Sequence, residues 1–167
     1  MKQKTARKIL YLDYDGVLHD EDVWWHKKHG IYLTTPNRRL FEWSHILERI
    51  VAEHTDLRIV LSTSWVAKRS FRYAVKKLSA SMRERVIGAT FHHREMALAE
   101  FMSKPRGIQI AGDVARRGPA NWIALDDDNE GWPERYLQNL IHTDGSLGLN
   151  DTNVENQLRA KLNQMGD

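Results

Sequence analysis

The chain has 167 residues and a formal net charge of +3, with 41% hydrophobic and 28% charged residues, the balance of an ordinary globular protein. The absence of cysteine excludes disulfides and thiolate chemistry, and no apolar run approaches the roughly 18 residues that a membrane span needs. The length predicts a single domain over residues 1–167, and the basic start lacks the long apolar core of a signal peptide, so we expect a cytoplasmic protein.

Basic residues are concentrated in the middle of the chain. Between Val66 and Arg117 there are 12 Lys and Arg but only 4 Asp and Glu. An excess of this kind attracts a polyanion such as a nucleic acid, although a solvated basic face explains it equally well.

Short apolar runs alternate with helical periodicities along the chain. Ile9–Leu12 is an unbroken apolar run that ends at a turn, which is typical of a strand buried on both faces. Further strands are predicted at Leu57–Leu61, Arg85–Ala89, Trp122–Leu125 and Leu140–His142. Helices are predicted from Thr35-Pro36 to about His54, over Ser70–Leu78, over Gly107–Arg116 and from about Asp151 to Leu162. This alternation predicts an α/β fold around a parallel sheet with right-handed crossovers.

Polar residues follow three of the predicted strands. Asp13 and Asp15 follow the first, Ser62 the second, and Asp126 and Asp127 the fourth. The carboxyl ends of parallel strands share one edge of the sheet, so these side chains should converge there and repel each other unless a cation lies between them. A site with only oxygen ligands favours Mg²⁺, and an Asp can attack phosphorus directly, so the edge is interpreted as a phosphoryl site.

Four motifs stand in a fixed order: DYDGVL, LSTSW, the region of Lys104 and Arg106, and ALDDD. Together they resemble the haloacid dehalogenase-like (HAD) phosphohydrolases from about Ile9 to His142. LDYDGVL, LSTSW, RG-x-x-I, LDDD and the later Gly148–Leu149 are more similar still to the small HAD domains associated with RNA-repair (Swiss Army Knife) proteins. The resemblance implies a Rossmann-like three-layer sandwich with a five-stranded, mainly parallel sheet and no large cap.

The resemblance also implies roles for the residues of the first two motifs. Asp13 would be the nucleophile and a Mg²⁺ ligand, and Asp15 would be the general acid/base and would bind the metal through its backbone carbonyl. Ser62 would hydrogen-bond the transferred phosphoryl group, with Thr63 as a close competitor.

The last two motifs would supply a cation and the rest of the metal shell. Lys104 would neutralise the charge on Asp13 and on the phosphoryl oxygens, or Arg106 would do so instead. Asp126 would complete the Mg²⁺ shell, with Asp127 as a direct or water-mediated ligand.

The segment from about residue 19 to 34 leaves room only for a flap over an otherwise open site. It carries Trp24, Trp25 and Lys27, whose aromatic faces and charge suit the stacking of bases and the binding of phosphates. The alternative is that one tryptophan anchors the flap and the other shields the site.

The sequence therefore predicts a Mg²⁺-dependent phosphatase that works through an aspartyl-phosphate. The favoured substrate and partner is a phosphorylated RNA or DNA end or a nucleotide, with no role for a membrane. The alternatives are a small-metabolite phosphatase and a non-catalytic nucleic-acid-binding module on a HAD fold.

Overall fold

A computed structural model describes residues 8–166, so the basic start at residues 1–7 lies outside the described part. The strands are β1 (Lys8–Leu12), β2 (Val23–His26), β3 (Gly30–Leu33), β4 (Leu57–Leu61), β5 (Val86–Ala89), β6 (Asn121–Asp126) and β7 (Leu140–His142). The α-helices are α1 (Ser44–Ala52), α2 (Ser64–Lys68), α3 (Phe71–Val75), α4 (Ala80–Arg83), α5 (Leu98–Met102), α6 (Arg106–Arg117) and α7 (Thr152–Gln164). Short 3₁₀ helices cover Glu134–Asn139 and Gly148–Asn150.

Five strands form one parallel sheet in the order β5-β4-β1-β6-β7. β1 is the middle strand of this sheet. All five of its residues are buried, because both faces of the strand are covered. Leu12 is in register with Leu61 on one side and with Leu125 on the other. The residues that follow these three strands therefore leave the sheet side by side at its carboxyl edge.

The two faces of β1 belong to different layers of the core. Ile9 and Tyr11 pack with Ile110 of α6, whereas Leu10 and Leu12 belong to the larger cluster that includes residues of α1 and α7. This period-two alternation places helices on both faces of the sheet. The predicted three-layer, Rossmann-like α/β fold is confirmed, and the sheet is fully parallel rather than mainly so.

The predicted strands all form, but two predicted helices are shorter than expected. The helix expected from Pro36 to about His54 begins only at Ser44. Asn37 and Phe41 have φ angles of 63° and 62°, in the left-handed region that no helix interior contains. Ser70 caps α3, which ends at Val75 rather than at Leu78.

The predicted flap is a two-stranded antiparallel hairpin of β2 and β3, separate from the main sheet. Its base is fastened by side chains: Asp20 accepts from the Asp22 N–H at 2.8 Å and from the Thr35 hydroxyl at 3.2 Å, and Asp22 accepts from the Thr34 hydroxyl. The hairpin is therefore anchored at its two ends while its tip extends from the body. Among residues 8–166, no helix has the length and apolar character needed to cross a bilayer.

Candidate active site

The backbone brings the ends of β1, β4 and β6 together. The Asp13 N–H donates to the carbonyl of Leu125 at 3.2 Å, and the Ser62 N–H donates to the carbonyl of Leu12 at 2.9 Å. Each of these bonds extends the parallel ladder by one residue past the strand. The ladder thus sets Asp13, Ser62 and Asp126 beside one another before any side-chain contact is considered.

Three carboxylates meet at this edge. Asp13, Asp126 and Asp127 each present an oxygen within 4.8 Å of the oxygens of the other two. Asp13 and Asp126 are buried, and Asp127 is partly exposed. Three carboxylate oxygens without nitrogen or sulfur ligands suit a hard cation such as Mg²⁺, which keeps several waters as further ligands.

Burial makes the cluster costly when no cation is bound. Desolvation raises the pKa of Asp13 and that of Asp126, the charges of neighbouring carboxylates raise both further, and the charge of Arg106 only partly offsets these effects. Burial, together with the nearby charge of Asp13, raises the pKa of Asp127 to about 7. The three ionised carboxylates therefore destabilise the fold on their own and need a positive charge beside them.

Arg106 supplies part of that positive charge. Its Nη1 lies 3.0 Å from Asp126 Oδ2 and 3.4 Å from Asp13 Oδ1, and it donates to the carbonyl of Ser62 at 2.6 Å. Burial by itself lowers the pKa of Arg106, but the two carboxylates outweigh it and the pKa is raised. Lys104 lies elsewhere: its exposed ammonium group is 2.9 Å from Glu100.

Close packing at the start of α6 fixes the position of Arg106. A Cβ on Gly107 would overlap the backbone of Trp132, and the Gly107 N–H donates to the carbonyl of Glu130 at 3.1 Å. Only glycine fits this contact, which draws the start of α6 against the loop that follows β6. The arginine before it therefore emerges beside Asp126.

Ser62 has a buried hydroxyl without a partner. Its Oγ makes no hydrogen bond within residues 8–166, although the residue is only 2% exposed. Thr63 differs, because its Oγ1 accepts from the Trp65 N–H at 3.3 Å and caps α2. Buried polar groups are normally satisfied, so an orphaned hydroxyl beside the acid cluster indicates a place for a ligand oxygen.

Asp15 is not one of the three clustered carboxylates, and it is held by two residues that the sequence analysis did not assign. Its Oδ1 accepts from the Trp65 Nε1–H at 2.8 Å and lies 3.0 Å from His19 Nε2. Trp65 is the last residue of the LSTSW motif and His19 directly follows DYDGVL, so their positions next to the motifs were available as a signal. Their side chains are almost fully buried.

A cleft of about 410 Å³ opens beside Asp15, between the hairpin and α2. Trp24 and Trp25 line it from the hairpin, and Lys68 and Arg69 line it from the end of α2. The Arg69 guanidinium carbon lies 5.4 Å from the centre of the Trp25 ring, within the range of a cation–π contact. Both tryptophans remain more than half exposed, so neither is buried as an anchor of the hairpin.

Lys27 is exposed at the tip of the hairpin and does not line the cleft. Trp24 is oriented by a hydrogen bond from its Nε1 to Asp22 at 2.7 Å. The structure thus brings together the two predicted tryptophans and the edge that bears Asp15, and leaves the predicted lysine apart.

A family model described as the HAD domain in Swiss Army Knife RNA repair proteins matches residues 9–154. The chain belongs to this HAD family. No curated protein and no solved structure matches the chain. HAD proteins are hydrolases that typically use Mg²⁺, and the matched range contains every residue of the site described above. RNA repair is a property of the proteins for which this family is named.

We expect the metal-free HAD domain to lose stability as the pH rises. The pKa of Asp127 is about 7 in the folded state against an ordinary 3.8, so the fold is favoured fully below about pH 4 and loses this contribution as the pH rises to about 7. Asp13 and Asp126 act in the same direction. Melting temperatures measured from pH 5 to pH 8 in a chelator should fall, and Mg²⁺ should restore them most at the alkaline end.

Asp127→Asn should flatten this profile, whereas Asp128→Asn should leave its slope in place, because Asp128 lies outside the cluster. A melting temperature that is constant or rises with pH in the chelator would contradict the prediction.

Proposed function

We propose that the chain is a Mg²⁺-dependent phosphatase that hydrolyses phosphomonoesters of nucleic-acid ends or nucleotides through an aspartyl-phosphate. The observation that carries the proposal is the position of Arg106 between Asp13 and Asp126, next to the unpartnered hydroxyl of Ser62. A carboxylate, a fixed cation and a free hydroxyl at one buried edge suit a phosphoryl group, whose oxygens need both charge and hydrogen bonds.

In the first step, an Asp13 carboxylate oxygen attacks phosphorus and the bond from phosphorus to the ester oxygen breaks. Asp15 in its protonated form gives its proton to that leaving oxygen, so the alcohol departs neutral. The guanidinium of Arg106 and the hydroxyl of Ser62 bind the oxygens of the transferred group. The products of this step are the free alcohol and a phosphorylated Asp13.

In the second step, water attacks the same phosphorus and Asp15, now a carboxylate, takes its proton. The bond from phosphorus to the Asp13 oxygen breaks, which regenerates the Asp13 carboxylate and releases inorganic phosphate. Asp15 is protonated again and ready for the next ester. The two steps together consume one water molecule for each ester cleaved.

The acid cluster fits Mg²⁺, with the carboxylates of Asp13, Asp126 and Asp127 and the backbone carbonyl of Asp15 as the groups that would hold it. When bound, the ion would neutralise charge on the phosphoryl oxygens and on the attacking carboxylate. The single positive charge of Arg106 neutralises only part of the negative charge of the three carboxylates, so a divalent ion can still be bound there.

The cleft supports a substrate with a base and a phosphate backbone. Two half-exposed indoles and two cations line a space that leads to Asp15, and its volume of about 410 Å³ is that of a small-ligand pocket. Aromatic faces stack bases of any sequence, and neighbouring cations bind phosphodiesters. The family description, RNA repair, points to the same substrate class.

A substrate screen with and without Mg²⁺ tests the proposal. Phosphorylated oligonucleotides, mononucleotides and sugar phosphates are compared by phosphate release at low and moderate salt. We expect Mg²⁺-dependent release that is fastest from the oligonucleotides and that slows as salt screens the cationic surface. Preference for sugar phosphates with no response to salt would indicate a metabolite phosphatase, and oligonucleotide binding without turnover would indicate a non-catalytic module.

Replacing Trp24 and Trp25 together by Ala should weaken oligonucleotide turnover more than turnover of 4-nitrophenyl phosphate. A stacked base contributes about 1–3 kcal/mol, so we expect roughly a tenfold or greater loss of kcat/KM for the oligonucleotide alone. Tyr32→Ala is the matched control, because Tyr32 pairs with Trp24 across the hairpin but does not line the cleft. Equal losses on both substrates would exclude a stacking role.

A further inference from the structure

We propose that His19 and Trp65 are positioning residues that hold Asp15 by one oxygen and reserve the other for the proton given to the leaving group. The proposal rests on the proposed phosphatase function and adds two residues to it. The side-chain nitrogens of both residues end on Asp15, so each acts through Asp15. Trp65 also lines the cleft, whereas His19 does not, so His19 separates positioning from contact with the substrate.

Both hydrogen bonds to the Asp15 side chain end on the same atom. The Trp65 Nε1–H lies 2.8 Å from Oδ1, and His19 Nε2 lies 3.0 Å from it. Within residues 8–166, Oδ2 receives no hydrogen bond. An oxygen that accepts two donors is a poor place for a proton, so the acidic hydrogen of Asp15 belongs on Oδ2.

The backbone fixes which nitrogen of His19 carries hydrogen. The Phe41 N–H donates to His19 Nδ1 at 3.2 Å, so Nδ1 is the acceptor and Nε2 bears the hydrogen that is given to Asp15. Phe41 adopts a φ of 62°, a conformation that bulky residues rarely take. The turn at Phe41, after which α1 begins only at Ser44, therefore directs the Phe41 N–H at His19.

Aromatic packing keeps both donors in place. The His19 ring is fully buried, with its centre 4.9 Å from that of Phe41 and 5.9 Å from that of Trp65. Tyr14 packs edge-on against Phe41 and Trp65 at 5.1 and 5.6 Å. These rings surround the buried His19 side chain and hold it in the orientation in which its Nε2 faces Asp15.

This arrangement has a chemical consequence that depends on the leaving group. An alkoxide leaves poorly and needs its proton in the transition state, whereas 4-nitrophenolate leaves well without one. If Asp15 loses its fixed orientation, cleavage of an alkyl ester suffers and cleavage of the aryl ester changes little. A general loss of fold or of metal would slow both substrates by the same factor.

The test compares kcat for a 5′-phosphorylated oligonucleotide and for 4-nitrophenyl phosphate in Trp65→Phe and His19→Phe. Each variant removes one donor and keeps an aromatic ring. We expect kcat to fall about tenfold or more on the oligonucleotide and less than about threefold on the aryl ester. His19→Gln, which retains an N–H donor, should recover part of the loss on the oligonucleotide.

Trp43→Phe is the matched control, since Trp43 is equally buried in the same core and its indole is not bonded to Asp15. It should give the same factor on both substrates. Equal factors in Trp65→Phe and His19→Phe would overturn the proposal while leaving the phosphatase function standing. If the wild type releases phosphate from no ester, the proposed function and this inference fall together.

A second measurement does not depend on turnover. It tests the hydrogen bond itself and so remains informative if one of the activity variants folds poorly. In nitrogen-15 spectra of the folded protein, the indole resonance that disappears in Trp65→Phe should shift in Asp15→Ala, and the Trp43 indole resonance should not. An unmoved Trp65 resonance would contradict the hydrogen bond on which the proposal depends.

Discussion

Asp13→Asn is expected to reduce Mg²⁺-dependent phosphate release by roughly a thousandfold or more, because the amide has no anionic oxygen to attack phosphorus. The change is isosteric, so the fold should remain. Burial raises the pKa of Asp13, and a neutral side chain removes that cost, so the metal-free variant should melt no lower than the wild type. Phosphate release and thermal melting in a chelator measure the two effects.

Asp128→Asn serves as the control for this experiment. Asp128 follows the same strand but lies outside the acid cluster, and its Oδ1 accepts the Glu130 N–H at 2.8 Å, a bond that Asn can also accept. The control should retain most of the wild-type rate. An Asp13→Asn variant that is as active as the wild type would remove Asp13 as the nucleophile.

Arg106→Ala is expected to abolish activity and to destabilise the protein by about 3–5 kcal/mol, the usual cost of removing one partner from a buried ion pair. Without the guanidinium, Asp13 and Asp126 face each other with no positive charge between them, and the carbonyl of Ser62 loses its donor. Urea unfolding with and without Mg²⁺ measures the loss, and Mg²⁺ should restore part of the stability but not the rate.

Lys104→Ala is the matched control, two residues away. Its ion pair with Glu100 is exposed, and such pairs contribute about 0–1 kcal/mol. Its stability and activity should therefore stay close to those of the wild type. If Lys104→Ala lost activity and Arg106→Ala kept it, Lys104 rather than Arg106 would be the cation of the third motif.

The strand pattern could be predicted because it depends on local, unbroken apolar runs. Leu57–Leu61 and Leu140–His142 are strands with the predicted bounds, and the positions of the acids after β1 and β6 follow from the parallel register alone. The family match over residues 9–154 agrees with the motifs that suggested it. Buried strands thus carry most of the information about the fold.

The segment before α1 could not be predicted from periodicity. Leu40, Trp43 and Leu47 are spaced as on one helix face. Only Leu47 lies in α1, whereas Leu40 and Trp43 lie in turns and reach the core from there. The Trp43 N–H donates to the carbonyl of Leu18 at 3.0 Å, a long-range bond that competes with the helix. A bond between residues so distant in sequence leaves no local pattern.

The site was predictable in part for the same reason. Carboxylates at strand ends converge by topology, but the third-motif cation depends on the close contact of Gly107 with Trp132, which no spacing reveals. His19 and Trp65 reach Asp15 from different segments, through a buried aromatic cluster. The sequence places His19 and Trp65 next to the motifs, but that their nitrogens meet on one oxygen of Asp15 depends on tertiary packing.

The loop after β1 also limits how this chain can diverge in evolution. Gly16 has a φ of 71°, and a Cβ there would overlap the carboxyl group of Asp127. The side chains that fit at these two positions therefore depend on each other. In homologous chains with any side chain in place of this glycine, we expect a shorter residue in place of the aspartate, and an alignment of such chains should show the two positions covarying.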